Sequence, residues 1–172
     1  MLVASAGDRA TGAPPPVTKA NRTMALRLKV RIEQSDLLVE LHNPTDQPVR
    51  VWRLGNSWGD SAWSLRLTTS GPPARTYTLQ PTHQGYTRNV PGFIEIPAHG
   101  TQDIRLAPSG REWTAGDDLD PLKGVPVNVE AALDIAPTPE VTKHRVAVGR
   151  VESAPVVSQP PHPWLFAAPA TH

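Results

Sequence analysis

One of the five tryptophans sits where a ring could do chemistry: Trp58, inside Gly55-Asn56-Ser57-Trp58-Gly59-Asp60. Small and polar neighbours leave such a ring open to stack on a sugar or to anchor a protein contact, with Asn56 as a polar companion. Loop 81–92 supplies Tyr86 and Arg88 as further binding candidates, because long loops on a rigid scaffold carry specificity. Asp117-Asp118-Leu119-Asp120 gathers three carboxylates of the kind Ca²⁺ accepts. The alternate-residue ligands and the distal Glu of an EF-hand are missing, so a solvated acidic turn is expected, and Asp117, Asp118 and Asp120 are the residues a cation would use. Near the far end, Trp164-Leu165-Phe166 follows a proline-rich spacer, the pattern of a tethered peptide that docks in a groove or adds to a sheet edge.

Composition removes several classes of chemistry. There is no cysteine, which excludes disulfides, thiolate metal centres, a cysteine nucleophile and the usual cupredoxin copper site. The six histidines (His42, His83, His99, His144, His162, His172) show no metal-ligand spacing, and no carboxylates stand out as a paired acid and base. No cofactor is expected, and the chain is read as a non-enzyme. A net charge of +1 gives no field to draw the molecule to nucleic acid or anionic lipid. No apolar run approaches the ~18 residues of a membrane-spanning helix.

The elements that must hold these residues are strands. Leu26-Arg27-Leu28-Lys29-Val30-Arg31-Ile32 alternates aliphatic and cationic residues, a period of two that only extended backbone produces. Its cations Arg27, Lys29 and Arg31, with Arg50 and Arg66, are expected on solvated faces that oppose edge-to-edge pairing. Strands follow at about 24–32, 37–42, 49–54, 63–68, 76–80, 93–96, 101–106, 125–135 and 143–152, with a long polar connection over 107–124. Turn chemistry separates them, as at Asn43-Pro44-Thr45-Asp46-Gln47-Pro48. Trp63 falls on the apolar face of its strand and is expected in the core, whereas Trp52 suits either a second layer or the surface.

Two of these turns carry a resemblance. Asn43-Pro44-Thr45-Asp46-Gln47-Pro48-Val49-Arg50-Val51, with Pro97-Ala98-His99-Gly100-Thr101 leading into Gln102-Asp103-Ile104-Arg105-Leu106, resembles immunoglobulin-like domains of bacterial exported and accessory proteins. It is also similar to the bacterial intracellular proteinase inhibitor type. Val146–Pro155 looks like a terminal strand of such exported domains. The resemblance implies an immunoglobulin-like sandwich over roughly 26–153 and a module that binds rather than catalyses.

The expected architecture is all-β: a single antiparallel immunoglobulin-like β-sandwich at 24–153, between a disordered tail at 1–23 and a flexible proline-rich tail at 154–172. The 20 prolines, well above the usual share, cluster in those tails and at turns. The expected function is a non-enzymatic binding or structural accessory module with a protein partner, acting through its loops and C-terminal tail or as a subunit of a larger assembly. A proteinase inhibitor and a carbohydrate-binding module using exposed tryptophan are the alternatives. A bacterial periplasmic, extracellular or surface-associated location is expected. The cytoplasm is the other reading, because Met1–Gly7 lacks the basic and apolar regions of a signal peptide.

Overall fold

Alternation along the chain becomes alternation in space. The computed structural model describes residues 24–82, 85–86, 89–108 and 113–166. Strand β1 (Arg27–Glu33) pairs with β2 (Asp36–His42) through a two-residue turn in which Gln34 adopts φ 52°. β2 in turn pairs with β7 (Thr101–Leu106), giving the three-stranded antiparallel sheet β1-β2-β7. The larger sheet runs β10-β9-β4-β5-β8, from β4 (Trp63–Thr69), β5 (Thr76–Pro81), β8 (Trp113–Ala115), β9 (Val127–Ile135) and β10 (Gly149–Glu152). β11 (Val156–Ser158) also pairs with β9. A two-stranded sheet, β3 (Val49–Trp52) with β6 (Phe93–Ile96), flanks them. The protein is an all-β, sandwich-like antiparallel fold.

The core lies between the two larger sheets. Leu28, Val30, Leu37, Val39, Leu41, Ile104 and Leu106 from one sheet share a buried cluster with Trp63, Leu65, Leu67, Leu79, Val129 and Leu133 from the other. Fully burying a Leu or Val side chain stabilises by about 1.5–3 kcal/mol, and a one-residue slip would send a whole strand's set to solvent. Hydrophobic pattern therefore fixes the register. Three of the outward cations meet carboxylates on the same sheet: Arg31 reaches across β2 to Asp103 on β7 at 2.6 Å, Arg50 meets Glu95 on the adjacent β6 at 2.7 Å, and Arg66 meets both oxygens of Glu130 on the adjacent β9 at 2.7 and 2.8 Å. The basic face is thus a mixed-charge lattice.

Three expectations change. Lys143–Glu152 is not one strand: helix α2 (Pro139–His144) precedes a crossing at Val146–Ala147 beside β3, and only then does β10 begin. Thr138 caps the helix by accepting from the Val141 amide at 3.3 Å, Pro139 opens it, and Arg145 closes it in a left-handed conformation (φ 55°). The polar connection 107–124 contains β8 and a 3₁₀ turn, Asp120–Leu122, whose Leu122 is fully buried.

The third change concerns the C-terminal tail, which joins the domain through Phe166. β10 and β11 form one edge interrupted at Ser153-Ala154-Pro155, where Pro155 has no amide to give. There the Ser153 hydroxyl accepts from the Ala131 amide at 3.0 Å, taking the place of a strand carbonyl. Helix α3 (Pro163–Phe166) then buries Trp164 and Leu165. Residues 1–23 lie outside the described residues. Among the described residues no helix is long and apolar enough to cross a membrane.

Candidate functional site

The segment after β3 builds a dense polar cluster. Gly55, at φ 85°, turns the chain, and Asn56 caps the one-turn helix α1 (Ser57–Asp60). The Asn56 side chain accepts from the Gly59 amide at 3.0 Å and donates to the Arg53 carbonyl at 2.8 Å. Gly59 must be glycine, because a Cβ there would lie 1.8 Å from the Arg53 oxygen. Packed this tightly, the loop delivers Asp60, only 7% exposed, to a fixed point. One Asp60 oxygen accepts from the Gly55 amide at 2.9 Å and the other accepts from the Tyr86 hydroxyl. Asn89 ties the loop down from outside, donating to the Ser57 hydroxyl at 2.6 Å and accepting from the Ser57 amide at 3.2 Å.

Asp60 lies on the wall of a cleft of about 330 Å³, where the ends of β5 and β7 and the start of β8 meet this loop. Tyr86 and Trp113 contribute aromatic rings, and Arg105 contributes a guanidinium. Leu54, Pro81 and Ala107 supply apolar surface and Gly55 a bare backbone. Arg105 is held by Asp36 at 2.5 Å, with its side chain largely exposed. The cleft therefore offers a buried acceptor, an exposed cationic donor and two rings within one small volume.

Of the residues singled out from sequence, Asn56 and Tyr86 belong to this assembly, one as the cap and one as a partner of Asp60. Trp58 does not line the cleft. It is half-buried, its ring 6.0 Å from that of Trp52, which is itself buried and lies 5.8 Å from His144. Arg88 lies outside the described residues. Trp164, Leu165 and Phe166 belong to a separate closure of the sandwich, not to the cleft: Trp164 is 1% exposed, and its indole N–H donates to the Ser158 hydroxyl at 2.9 Å. Trp164 and Leu165 are thus buried in their own domain, with Phe166 partly buried beside them.

The acidic turn is used locally. Asp118 accepts from the Asp120 amide at 3.0 Å, and Asp120 pairs with Lys123 at 2.7 Å, raising the Lys123 ammonium above its ordinary value through that hydrogen bond. Among the described residues no three His, Asp or Glu side chains converge as a metal site.

Gly55-Asn56-Ser57-Trp58-Gly59 also has the Gly-x-Ser-x-Gly spacing of a serine nucleophile elbow, a signal that the expectation of a non-enzyme leaves unweighed. Here Ser57 is not among the residues with positive φ, its hydroxyl is engaged by Asn89, and the helix that follows is a single turn. A hydroxyl–imidazole pair occurs elsewhere, between Ser158 and His162 at 2.7 Å, but both residues are buried. The His162 Nε2 lies 2.8 Å from the Val125 carbonyl, which can only accept, so Nε2 carries a proton, and in the neutral imidazole Nδ1 accepts from Ser158. That chain is a structural clasp.

Asp60, Arg105 and Trp113 are the functional candidates that sequence reasoning passes over. Each sits at an element's end, and only Trp113, an aromatic within a polar connection, carries a signal of its own. No family model, curated protein or solved structure matches the chain. The functional reading rests on the geometry.

Proposed function

We propose that the protein is a non-enzymatic binding module whose ligand site is the cleft between Asp60, Arg105 and Trp113. The observation that carries this reading is the precision with which Asp60 is held: a 7% exposed carboxyl, fixed by a backbone amide and a tyrosine hydroxyl, on the wall of a 330 Å³ cleft. Placing a carboxyl at the cleft wall costs desolvation, which its hydrogen bonds from the Gly55 amide and the Tyr86 hydroxyl offset. Small-molecule sites combine apolar walls with a few fixed polar groups in this way.

The test is a thermal-shift survey of the full chain against sugars, amino acids, amines, organic anions and nucleotides. A ligand at a hundredfold its Kd stabilises by about 2.7 kcal/mol, which raises the midpoint of a domain this size by roughly 5–10 °C. At least one class is expected to do so, with the shift lost in Trp113→Leu. A survey in which no class moves the midpoint refutes the reading.

A further inference from the structure

Resting on the cleft being a ligand site, we infer that its ligand is a neutral polyhydroxylated ring, a sugar, stacked on Trp113 and hydrogen-bonded between Asp60 and Arg105. A carboxylate accepts about four hydrogen bonds, and the contacts from Gly55 and Tyr86 place one on each Asp60 oxygen. Lone pairs remain for hydroxyl donors. Arg105 has several N–H groups beyond the Nη2 that meets Asp36, and these suit hydroxyl or ring oxygens.

A cationic ligand would use Asp60 and the aromatic rings but would meet Arg105 on the same cleft wall, its charge only partly offset by Asp36. An anionic ligand would use Arg105 and meet the fixed carboxyl of Asp60. A neutral ligand bearing both donors and acceptors engages both. A sugar ring adds an apolar C–H face, and half-buried Trp113 with neighbouring Leu54 and Pro81 forms a surface for it. The volume, near the lower end of the ~300–1,000 Å³ typical of small-molecule sites, suits a ligand of one or two rings.

The experiment is isothermal titration of the full chain with cellobiose, maltose, mannobiose and chitobiose as neutral probes, and with tetramethylammonium chloride and sodium sulfate as charged ones. The expected result is saturable binding of at least one disaccharide, weakened tenfold or more in Arg105→Gln and in Trp113→Leu. Arg105 is exposed, so its variant reads binding even if Trp113→Leu loosens the fold; thermal melting of both variants shows which case applies. Saturable binding of tetramethylammonium or sulfate with no disaccharide overturns the sugar assignment and leaves the cleft as a binding site. Disaccharide binding unchanged in Arg105→Gln also overturns it. Silence from every probe, together with a blank thermal-shift survey, overturns both readings.

Discussion

Replacing Trp164 with alanine tests whether the C-terminal segment is core or appendage. Its side chain is 1% exposed, and truncating a buried tryptophan costs about 3–5 kcal/mol in lost transfer energy and cavity. Against a total stability of ~5–15 kcal/mol that is a large share. With a urea slope of ~2 kcal/mol/M, the unfolding midpoint should fall by roughly 1.5–2.5 M at unchanged slope. Ser158→Ala makes the test sharper, because one hydroxyl serves two buried groups: it accepts from Trp164 and donates to His162. Removing it orphans the His162 Nδ1 and the Trp164 N–H, at about 2–4 kcal/mol together. In the double variant the Trp164 N–H no longer exists to be orphaned, so the combined loss should fall short of the sum by about 1–2 kcal/mol. Equilibrium urea unfolding followed by circular dichroism measures all three variants. A midpoint shift below ~0.5 M for Trp164→Ala would refute the claim that α3 belongs to the cooperative core.

Two further substitutions probe how the scaffold is held. Asn43 is fully buried, its amide nitrogen facing the carbonyls of Gln47, Ile96 and Pro97 at 2.8–3.2 Å, so Asn43→Asp should destabilise by at least as much as Asn43→Ala, about 2–4 kcal/mol, by turning an oxygen toward three others; thermal melts that rank Asp as the milder change would contradict this. The hydrogen bonds from Arg66 hold the Glu130 carboxyl below its ordinary value, so the pair's contribution is present above the unfolded carboxylate range and lost as pH falls through the lower folded value. With Arg66 half exposed, Glu130→Gln should cost only about 0.5 kcal/mol at pH 7, and the gap from wild type should begin to narrow below about pH 4; a gap that widens on acidification would reverse the assignment.

Most of the longer strands, and the faces they bury, were legible in the sequence. Period-two alternation is a local property, and burial of Leu28, Val30, Leu37, Val39, Leu41, Leu65 and Leu67 follows from it with no knowledge of what lies opposite. The turn at Asn43 was legible for the same reason, since Pro44 and Thr45 act on their immediate neighbours. Short elements were not. A six-residue helix such as α2 is too brief to show a helical period, although Thr138-Pro139-Glu140 marks its start.

Tertiary structure decided the rest. Trp58 and Trp164 are both tryptophans in proline-, glycine- or serine-rich surroundings, and nothing local says that one would be half-buried against Trp52 and the other sealed by Ser158. The cleft is the clearest case. Asp60, Tyr86, Arg105 and Trp113 are spread over more than fifty positions, and none is part of a spacing motif that ties it to the others. They meet because β5 and β7 end, and β8 begins, beside the loop after β3, a convergence of two sheets that no window of sequence encodes.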